Sequence, residues 1–153
     1  MANTNQKGRV VGIDYGLKRI GMAISDPTQL IANPTPTIEA ARKLEVTIRR
    51  VVDQITFLSK EYGAVEEIVV GLPLMMTGRS SMLADEVYHF VDKLKEAIEI
   101  PIITWDERLT SVQADRSLRE ANLSRKKRSK VVDTVAATII LQNYLDSKRF
   151  STA

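Results

Sequence analysis

Four carboxylates that could do chemistry follow or interrupt apolar runs of the sequence: Asp14, Asp106, Glu107 and Asp133. Burying an unpaired charge is costly, and carboxylates that meet repel one another, so a site that gathers them requires a cation. The chain has no cysteine and one histidine. Oxygen ligands of this kind favour Mg²⁺ or Mn²⁺ over zinc. Two such ions about 3.5–4 Å apart could stabilise both the attacking and the leaving oxygen of a phosphoryl displacement.

Asp14 comes at the end of the first predicted strand, which the sequence places in the middle of a sheet. Side chains alternate across a strand, so Asp14 is predicted to point to the same face as Val10 and Gly12. A carboxylate in this position needs a cation or hydrogen-bond donors. The alternative is that Asp14 only opens the Asp-Tyr-Gly turn, where aspartate commonly bonds the backbone.

Asp106 and Glu107 are adjacent carboxylates that follow a second apolar run, residues 101–105. Ligands of open α/β sheets gather outside the carboxyl ends of the strands. The alternative is a helix cap, provided by Asp106 or Thr110. Capping needs only one of these side chains, so the surplus carboxylate favours a role in chemistry.

Asp133 is the only acidic residue between positions 120 and 146. It falls in a helix predicted to span residues 130–146, and it shares the inward face with Ala136, Ala137, Ile140 and Tyr144. The small alanines suggest that space beside Asp133 is kept for a ligand. The alternative is that an aspartate in the first turn only benefits from the helix dipole, by ~0.3–1 kcal/mol.

A cluster of cations precedes this predicted helix: Arg125, Lys126, Lys127, Arg128 and Lys130. The formal net charge of +3 is too small to indicate nucleic acid by itself, so the clustering carries the argument. A polynucleotide bound there would have a phosphate near Asp133, and its affinity should fall steeply with salt. A solvated basic loop without a ligand is the alternative. Further phosphate contacts could come from Lys18, Arg19 and Arg108, and the alternative for Arg108 is that it only orients Glu107.

The elements that must position these side chains follow an α/β pattern. Strands are predicted at residues 9–14, 20–25 and 31–38, then at 67–71 and 101–105. The first two should pair as a hairpin, while Pro34 and Pro36 place the third at a sheet edge. Helices are predicted at 42–62, 81–98, 111–121 and 130–146, with Gly63 capping the first. This order predicts a mixed five-stranded sheet with helices on both faces.

Composition sets outer limits on the function. A chain of 153 residues fits a single domain over 1–153, with an ordered core at about residues 8–147. The absence of cysteine excludes disulfides, zinc fingers, iron–sulfur clusters and thiol catalysis, and it suits a reducing cytoplasm. The polar start of the chain does not resemble a signal peptide. The longest apolar stretch falls short of the ~20 residues needed to cross a bilayer, so we expect a cytoplasmic protein without membrane contact.

Four motifs follow one another along the chain: residues 12–23 (GIDYGLKRIGMA), 68–73 (IVVGLP), 106–111 (DERLTS) and 132–137 (VDTVAA). Together they make this chain resemble the YqgF family, resolvase-like nucleases of bacteria with a ribonuclease H-like fold. The first motif alone is weakly diagnostic, because Asp-x-Gly hairpins are widespread. All four in this order, across nearly the whole chain, are highly specific.

The resemblance implies that Asp14, Glu107 and Asp133 take the acidic catalytic and metal-binding positions, with Asp106 as a candidate fourth ligand. It also implies a bacterial nuclease that matures the 5′ end of pre-16S rRNA. Similarity of the family to the RuvC resolvases implies cleavage of Holliday junctions as the alternative. The chain departs from the family at residues 75–79 (MMTGR), where Asn, Met, Asp and Gly are usual, so the resemblance assigns no substrate or ligand role to that loop and its role is left open.

Two other classes of function are compatible with parts of the sequence. Sugar kinases and actin-like ATPases also use an Asp-x-Gly hairpin, but they need two such domains, and this chain has neither a second motif nor a Walker loop. A non-catalytic RNA-binding factor of ribosome assembly or transcription would need the cations and not the acids. The oligomeric state is left open as monomer or homodimer, because cutting two strands symmetrically requires a dimer and trimming one strand does not.

Overall fold

The computed structural model describes residues 8–73, 82–106 and 125–151, with side chains of the last helix described at 135–149. Its strands are β1 (Arg9–Tyr15), β2 (Arg19–Ser25), β3 (Ala32–Glu39), β4 (Val65–Leu72) and β5 (Ile102–Asp106). Its helices are α1 (Leu44–Tyr62), α2 (Met82–Ala97) and α3 (Arg125–Ser151). The helix predicted at residues 111–121 lies outside the described residues.

The strands form one mixed sheet in the order β3-β2-β1-β4-β5. β1 is central; it pairs antiparallel with β2 and parallel with β4, and β5 is parallel to β4. β3 lies at one edge, where the missing N–H groups of Pro34 and Pro36 cost no ladder bonds. The predicted five-stranded mixed sheet, its hairpin and its proline-containing edge strand are therefore confirmed. The strands β1, β4 and β5 are parallel, so all three end at the same edge of the sheet, the carboxyl end. Their last residues are Tyr15, Leu72 and Asp106.

Two apolar layers cover the sheet, one on each face. Val11 and Ile13 of β1 point into the layer formed with α1 and α2. Val10 points into the other layer, formed with Ala137, Ile140 and Leu141 of α3. The predicted arrangement with helices on both faces is thus confirmed, and the alternation of β1 decides which helix each of its side chains meets.

Glycines make two of the tight connections possible. A Cβ atom at Gly16 would lie 2.5 Å from the carbonyl oxygen of Arg19, so the turn between β1 and β2 requires glycine there. Gly63 ends α1 with φ of 118°, a conformation that favours glycine, and its N–H donates to the carbonyl of Ser59. The predicted cap of α1 is confirmed.

The last helix begins earlier than its sequence pattern predicts. α3 starts at Arg125, so the cationic segment forms the first turns of the helix and is not a loop in front of it. The physical reason is that lysine and arginine are good helix formers. Residue 133 therefore lies in the third turn. The helix dipole acts within the first turn, so the dipole explanation for an aspartate at 133 no longer applies.

Candidate active site

Asp14 lies half-buried at the carboxyl end of the central strand. Its partner across the hairpin is Gly21 of β2. On the other side, Ile13 pairs with Val70 of β4, so the same register continued by one residue brings Gly71 beside Asp14. Both flanking positions are glycines, and neither neighbouring strand adds a side chain next to the carboxylate.

The contacts of Gly12 identify the face on which Asp14 lies. A Cβ atom at Gly12 would come within 2.7 Å of the Cβ of Leu141 and 3.1 Å of the carbonyl oxygen of Ala137. The backbone of α3 therefore packs directly on β1 at this glycine. Asp14 is two residues further along the strand and alternates onto the same face, the face covered by α3.

The direction of α3 brings residue 133 towards Asp14. At the start of β1, Val10 pairs with Glu67, whose carboxylate accepts a hydrogen bond of 2.5 Å from the hydroxyl of Tyr144. α3 therefore runs antiparallel to β1, with lower numbers towards the carboxyl end of the sheet. From Gly12 to Asp14 the strand rises about 6.6 Å. From Ala137 back to residue 133 the helix rises about 6 Å, so the backbone of residue 133 reaches the level of Asp14.

β5 determines the face on which Asp106 lies. Ile103 and Trp105 pack against the layer under α3. Asp106 is exposed and pairs in register with Leu72, whose side chain belongs to the layer under α1 and α2. The strand thus directs Asp106 to the face opposite Asp14. Glu107 comes next in the chain and lies outside the described residues.

The predicted phosphate-binding residues fall into three groups. Lys18 is exposed in the β1–β2 turn, and Arg19 is half-buried at the start of β2 opposite Glu39. The backbone of the cationic segment, residues 125–130, forms the first turns of α3, and its side chains lie outside the described set. Arg108 also lies outside the described residues.

The side chains that are described do not by themselves complete a metal centre. Within them, no three histidine, aspartate or glutamate groups are clustered to hold an ion. Two of the three predicted ligands, Glu107 and the side chain of Asp133, fall outside that set.

Among the described residues, none of the helices is long and apolar enough to cross a membrane.

A polar anchor that the sequence pattern did not reveal holds α3 on the sheet. The Tyr144 hydroxyl and the Lys148 ammonium, the latter at 3.2 Å, both donate to the same oxygen of Glu67. The Tyr144 ring also packs edge-on against Trp105, with ring centroids 5.5 Å apart. Burial and the neighbouring Glu67 carboxylate raise the pKa of Tyr144, so its hydroxyl stays protonated as a donor. The anchor fixes the position of the helix that carries residue 133.

Comparison with known proteins agrees with this architecture. The family model described as "RuvX: Holliday junction resolvase" matches residues 8–147. A protein of Protochlamydia amoebophila named "Putative pre-16S rRNA nuclease" is 53% identical over 149 residues, covering 97% of this chain and 99% of its own length. A protein of the same name from Caldanaerobacter subterraneus is 47% identical over 144 residues, covering 94% of this chain and 99% of its own.

The solved structures extend the comparison to the fold. The RuvC protein of T. thermophilus, in a complex with a Holliday junction substrate, superposes with a TM-score of 0.56 at 16% identity. The match covers 94% of this chain and 96% of that one. A second structure of Thermus thermophilus RuvC gives a TM-score of 0.53. The expected ribonuclease H-like fold is confirmed, and the chain is a nuclease that belongs to the RuvX family.

Proposed function

We propose that this chain is a divalent-metal-dependent nuclease that cuts a phosphodiester backbone at the carboxyl end of β1. Its proposed substrate is pre-16S rRNA, the substrate in the names of its relatives. The proposed location is the cytoplasm of a bacterium. The single observation that carries the proposal is the close packing of Gly12 against Ala137 and Leu141. It puts Asp14 on the face covered by α3 and at the level of residue 133.

Asp14, Glu107 and Asp133 are the proposed ligands of Mg²⁺ or Mn²⁺. The fit rests on the donor chemistry: oxygen donors suit these hard cations. The half-buried carboxylate of Asp14 also has a glycine beside it on each adjacent strand. No side chain of these strands therefore blocks an ion from reaching it. When bound, the metal would neutralise charge on the phosphate and lower the pKa of a water molecule.

The alternation of β5 supports Glu107 over Asp106 as the second acid. Ile103 and Trp105 face α3, and the position that would continue this series is 107. Asp106 shares its register row with Leu72, on the other face. We therefore assign the metal to Asp14, Glu107 and Asp133 and leave Asp106 outside the set.

The chain's own contribution is rigid placement of these groups. Asp14 sits on a strand held by hydrogen bonds on both sides, and such elements position a group more reproducibly than loops. The 133 position is fixed by the packing of α3 on Gly12 and by the anchor of Tyr144 and Lys148 on Glu67. Placement matters because a displacement of about 1 Å can cost about 100-fold in rate.

Phosphate binding is assigned to cations on the approaches to this site. At 1.5 Å per residue along the axis of α3, residue 130 lies about 4.5 Å from residue 133, and residue 125 lies about 12 Å from it. Arg125, Lys126, Lys127, Arg128 and Lys130 could therefore hold the backbone next to the cleavage position. Lys18, Arg19 and Arg108 would contribute from the ends of the strands.

Junction resolution is the second candidate, and the family description and the fold shared with RuvC favour it. It makes a distinct demand on assembly, because two symmetric cuts require two copies of the site. Trimming of a single RNA strand needs one copy.

Cleavage of two matched substrates tests the proposal. A single-stranded RNA that spans a pre-rRNA 5′ end and a four-way DNA junction would each be incubated with Mg²⁺, Mn²⁺ or EDTA. Metal-dependent cutting of the RNA supports rRNA maturation, and paired symmetric nicks in the junction alone support resolution. Tight binding of RNA with no cutting under any metal condition would contradict the nuclease and support a non-catalytic RNA-binding factor.

A further inference from the structure

Four exposed cations gather on the other side of the Asp14 strand end, away from α3: Lys18, Arg42, Lys43 and Arg50. Two hydrogen bonds bring their segments together. The N–H of Ala40 donates to the carbonyl oxygen of Lys18 at 2.9 Å, which joins the β1–β2 turn to the segment before α1. The guanidinium of Arg50 donates to the carbonyl oxygen of Glu39 at 2.9 Å, which brings the second turn of α1 to the same place.

This surface, the α1 cationic surface, keeps a net positive charge. The carboxylates on the same segments are Glu39 and Glu45, so four cations against two anions leave +2. None of the four cations forms an ion pair with a carboxylate in the described part of the chain. The charges are therefore exposed to solvent and available to an anionic partner.

Protein stability does not explain the position of Arg42 and Lys43. They immediately precede α1, where the helix dipole disfavours cations and where serine, threonine, aspartate or asparagine is the preferred cap. Lys43 occupies the cap position, and its side chain makes no capping hydrogen bond. A partner that carries negative charge would turn this unfavourable placement into a favourable one.

The surface lies beside the proposed cleavage position and not at the far end of the sheet. Lys18 follows β1 by three residues, in the turn that Asp14 leads into. α1 packs on the face of the sheet opposite α3. The carboxyl end of β1 therefore has cationic segments on both sides: residues 125–130 in the first turns of α3, and this surface at the start of α1.

We propose that the α1 cationic surface binds the sugar-phosphate backbone of the substrate on the side of the cut away from α3. This inference rests on the proposed function and adds Arg42, Lys43 and Arg50 to its binding residues. A polynucleotide would cross the carboxyl end of the sheet between the two groups of cations. The contacts are to phosphates, so they hold the strand in place without reading its sequence.

The test measures binding separately from cutting. The full-length protein in EDTA would be titrated against labelled single-stranded RNA and labelled duplex over a range of NaCl concentrations. Arg42→Gln/Lys43→Gln is compared with Lys60→Gln/Lys95→Gln, which removes the same charge from exposed lysines in the last turns of α1 and α2, at the opposite end of the sheet. Arg42→Lys/Lys43→Arg keeps the charge. Lys18→Gln/Arg50→Gln provides a second test pair, and thermal unfolding checks each fold.

Each phosphate contact contributes about 0.7 to 0.9 to the slope of log K against log salt. The test pair should therefore lose about 1.4 to 1.8 from the wild-type slope, while the control pair and the charge-preserving pair keep it. Equal slopes in the test and control pairs would overturn the inference, and the nuclease proposal would stand if Mg²⁺ still supports cutting by the wild type. A reduced slope in the test pair, together with no cleavage by the wild type, would support the binding surface and contradict the nuclease proposal.

Discussion

Gly12 of β1 lies directly beneath Leu141 of α3, so closely that a Cβ atom on residue 12 would be 2.7 Å from the Cβ of Leu141. The helix can approach this strand only because the strand has no side chain there. The consequence reaches the carboxyl end of the sheet, because Asp14 is two residues from Gly12 on β1 and residue 133 is four residues from Ala137 on α3. The same contact that sets the distance between α3 and the sheet thus sets the distance between Asp14 and residue 133.

Replacing Gly12 with alanine should push α3 away from the sheet. The added methyl group overlaps Leu141 and the carbonyl of Ala137, and overpacking of this kind costs about 1–3 kcal/mol of unfolding free energy. We expect cleavage to fall by up to about 100-fold at temperatures where the variant is fully folded. Urea unfolding and initial cleavage rates measure the two effects. An unchanged unfolding midpoint would show that α3 does not pack tightly against Gly12.

Tyr144→Phe should destabilise the protein by about 1–3 kcal/mol. The change removes a hydroxyl that donates to Glu67 and leaves this half-buried carboxylate with Lys148 as its remaining described partner. Tyr88→Phe is the matched control, because Tyr88 is 43% exposed. Both variants would be compared by chemical denaturation. Equal midpoints for the two would mean that the anchor contributes nothing to holding α3.

The sheet could be predicted from the sequence because its signals are local. Apolar runs of five or six residues, the glycine-containing turn after Tyr15 and the prolines at 34 and 36 each indicate one element, and the structure has all of them. The sequence pattern places the start of α3 five residues too late, because a run of lysines and arginines has no apolar periodicity from which to recognise a helix.

The site could be predicted only in part, because its residues come from distant segments. Alternation placed Asp14 on the face of Gly12, but only the packing of α3 shows which helix covers that face. The bond between Tyr144 and Glu67 joins residues 77 positions apart, and no local pattern indicates such a pair. The sequence does contain one signal of the close approach of α3 to β1: Gly12 is a glycine among β-branched residues in the middle of a strand.

Asp26 should make the protein lose stability in acid. Partial burial opposes ionisation, but hydrogen bonds from the Thr28 side chain and from the N–H groups of Ile31, Leu30 and Thr28 outweigh it and lower the pKa of Asp26 to about 2. A carboxyl with a lowered pKa stabilises the fold above its unfolded pKa of about 4, and this contribution is lost as the pH falls through about 2.

The variant Asp26→Asn should therefore be less stable than the wild type at neutral pH, and the difference should shrink between about pH 4 and pH 2. Asp53→Asn, the same change on the exposed surface of α1, is the control. Denaturant midpoints at a series of pH values measure the effect. A difference that stays constant across this range would rule out the carboxylate of Asp26 as its source.

Metal-dependent cleavage by Asp14→Asn and Asp106→Asn, measured side by side with the wild type, tests the central claim most directly. Even residues that only orient metal ligands cost 10–100-fold when replaced, so loss of a ligand should cost at least about 100-fold. We expect this loss for Asp14→Asn with an unchanged unfolding midpoint. For Asp106→Asn, on the opposite face of the sheet, we expect activity within a few-fold of wild type. Wild-type cleavage by a folded Asp14→Asn protein would contradict the assignment of Asp14 as a metal ligand.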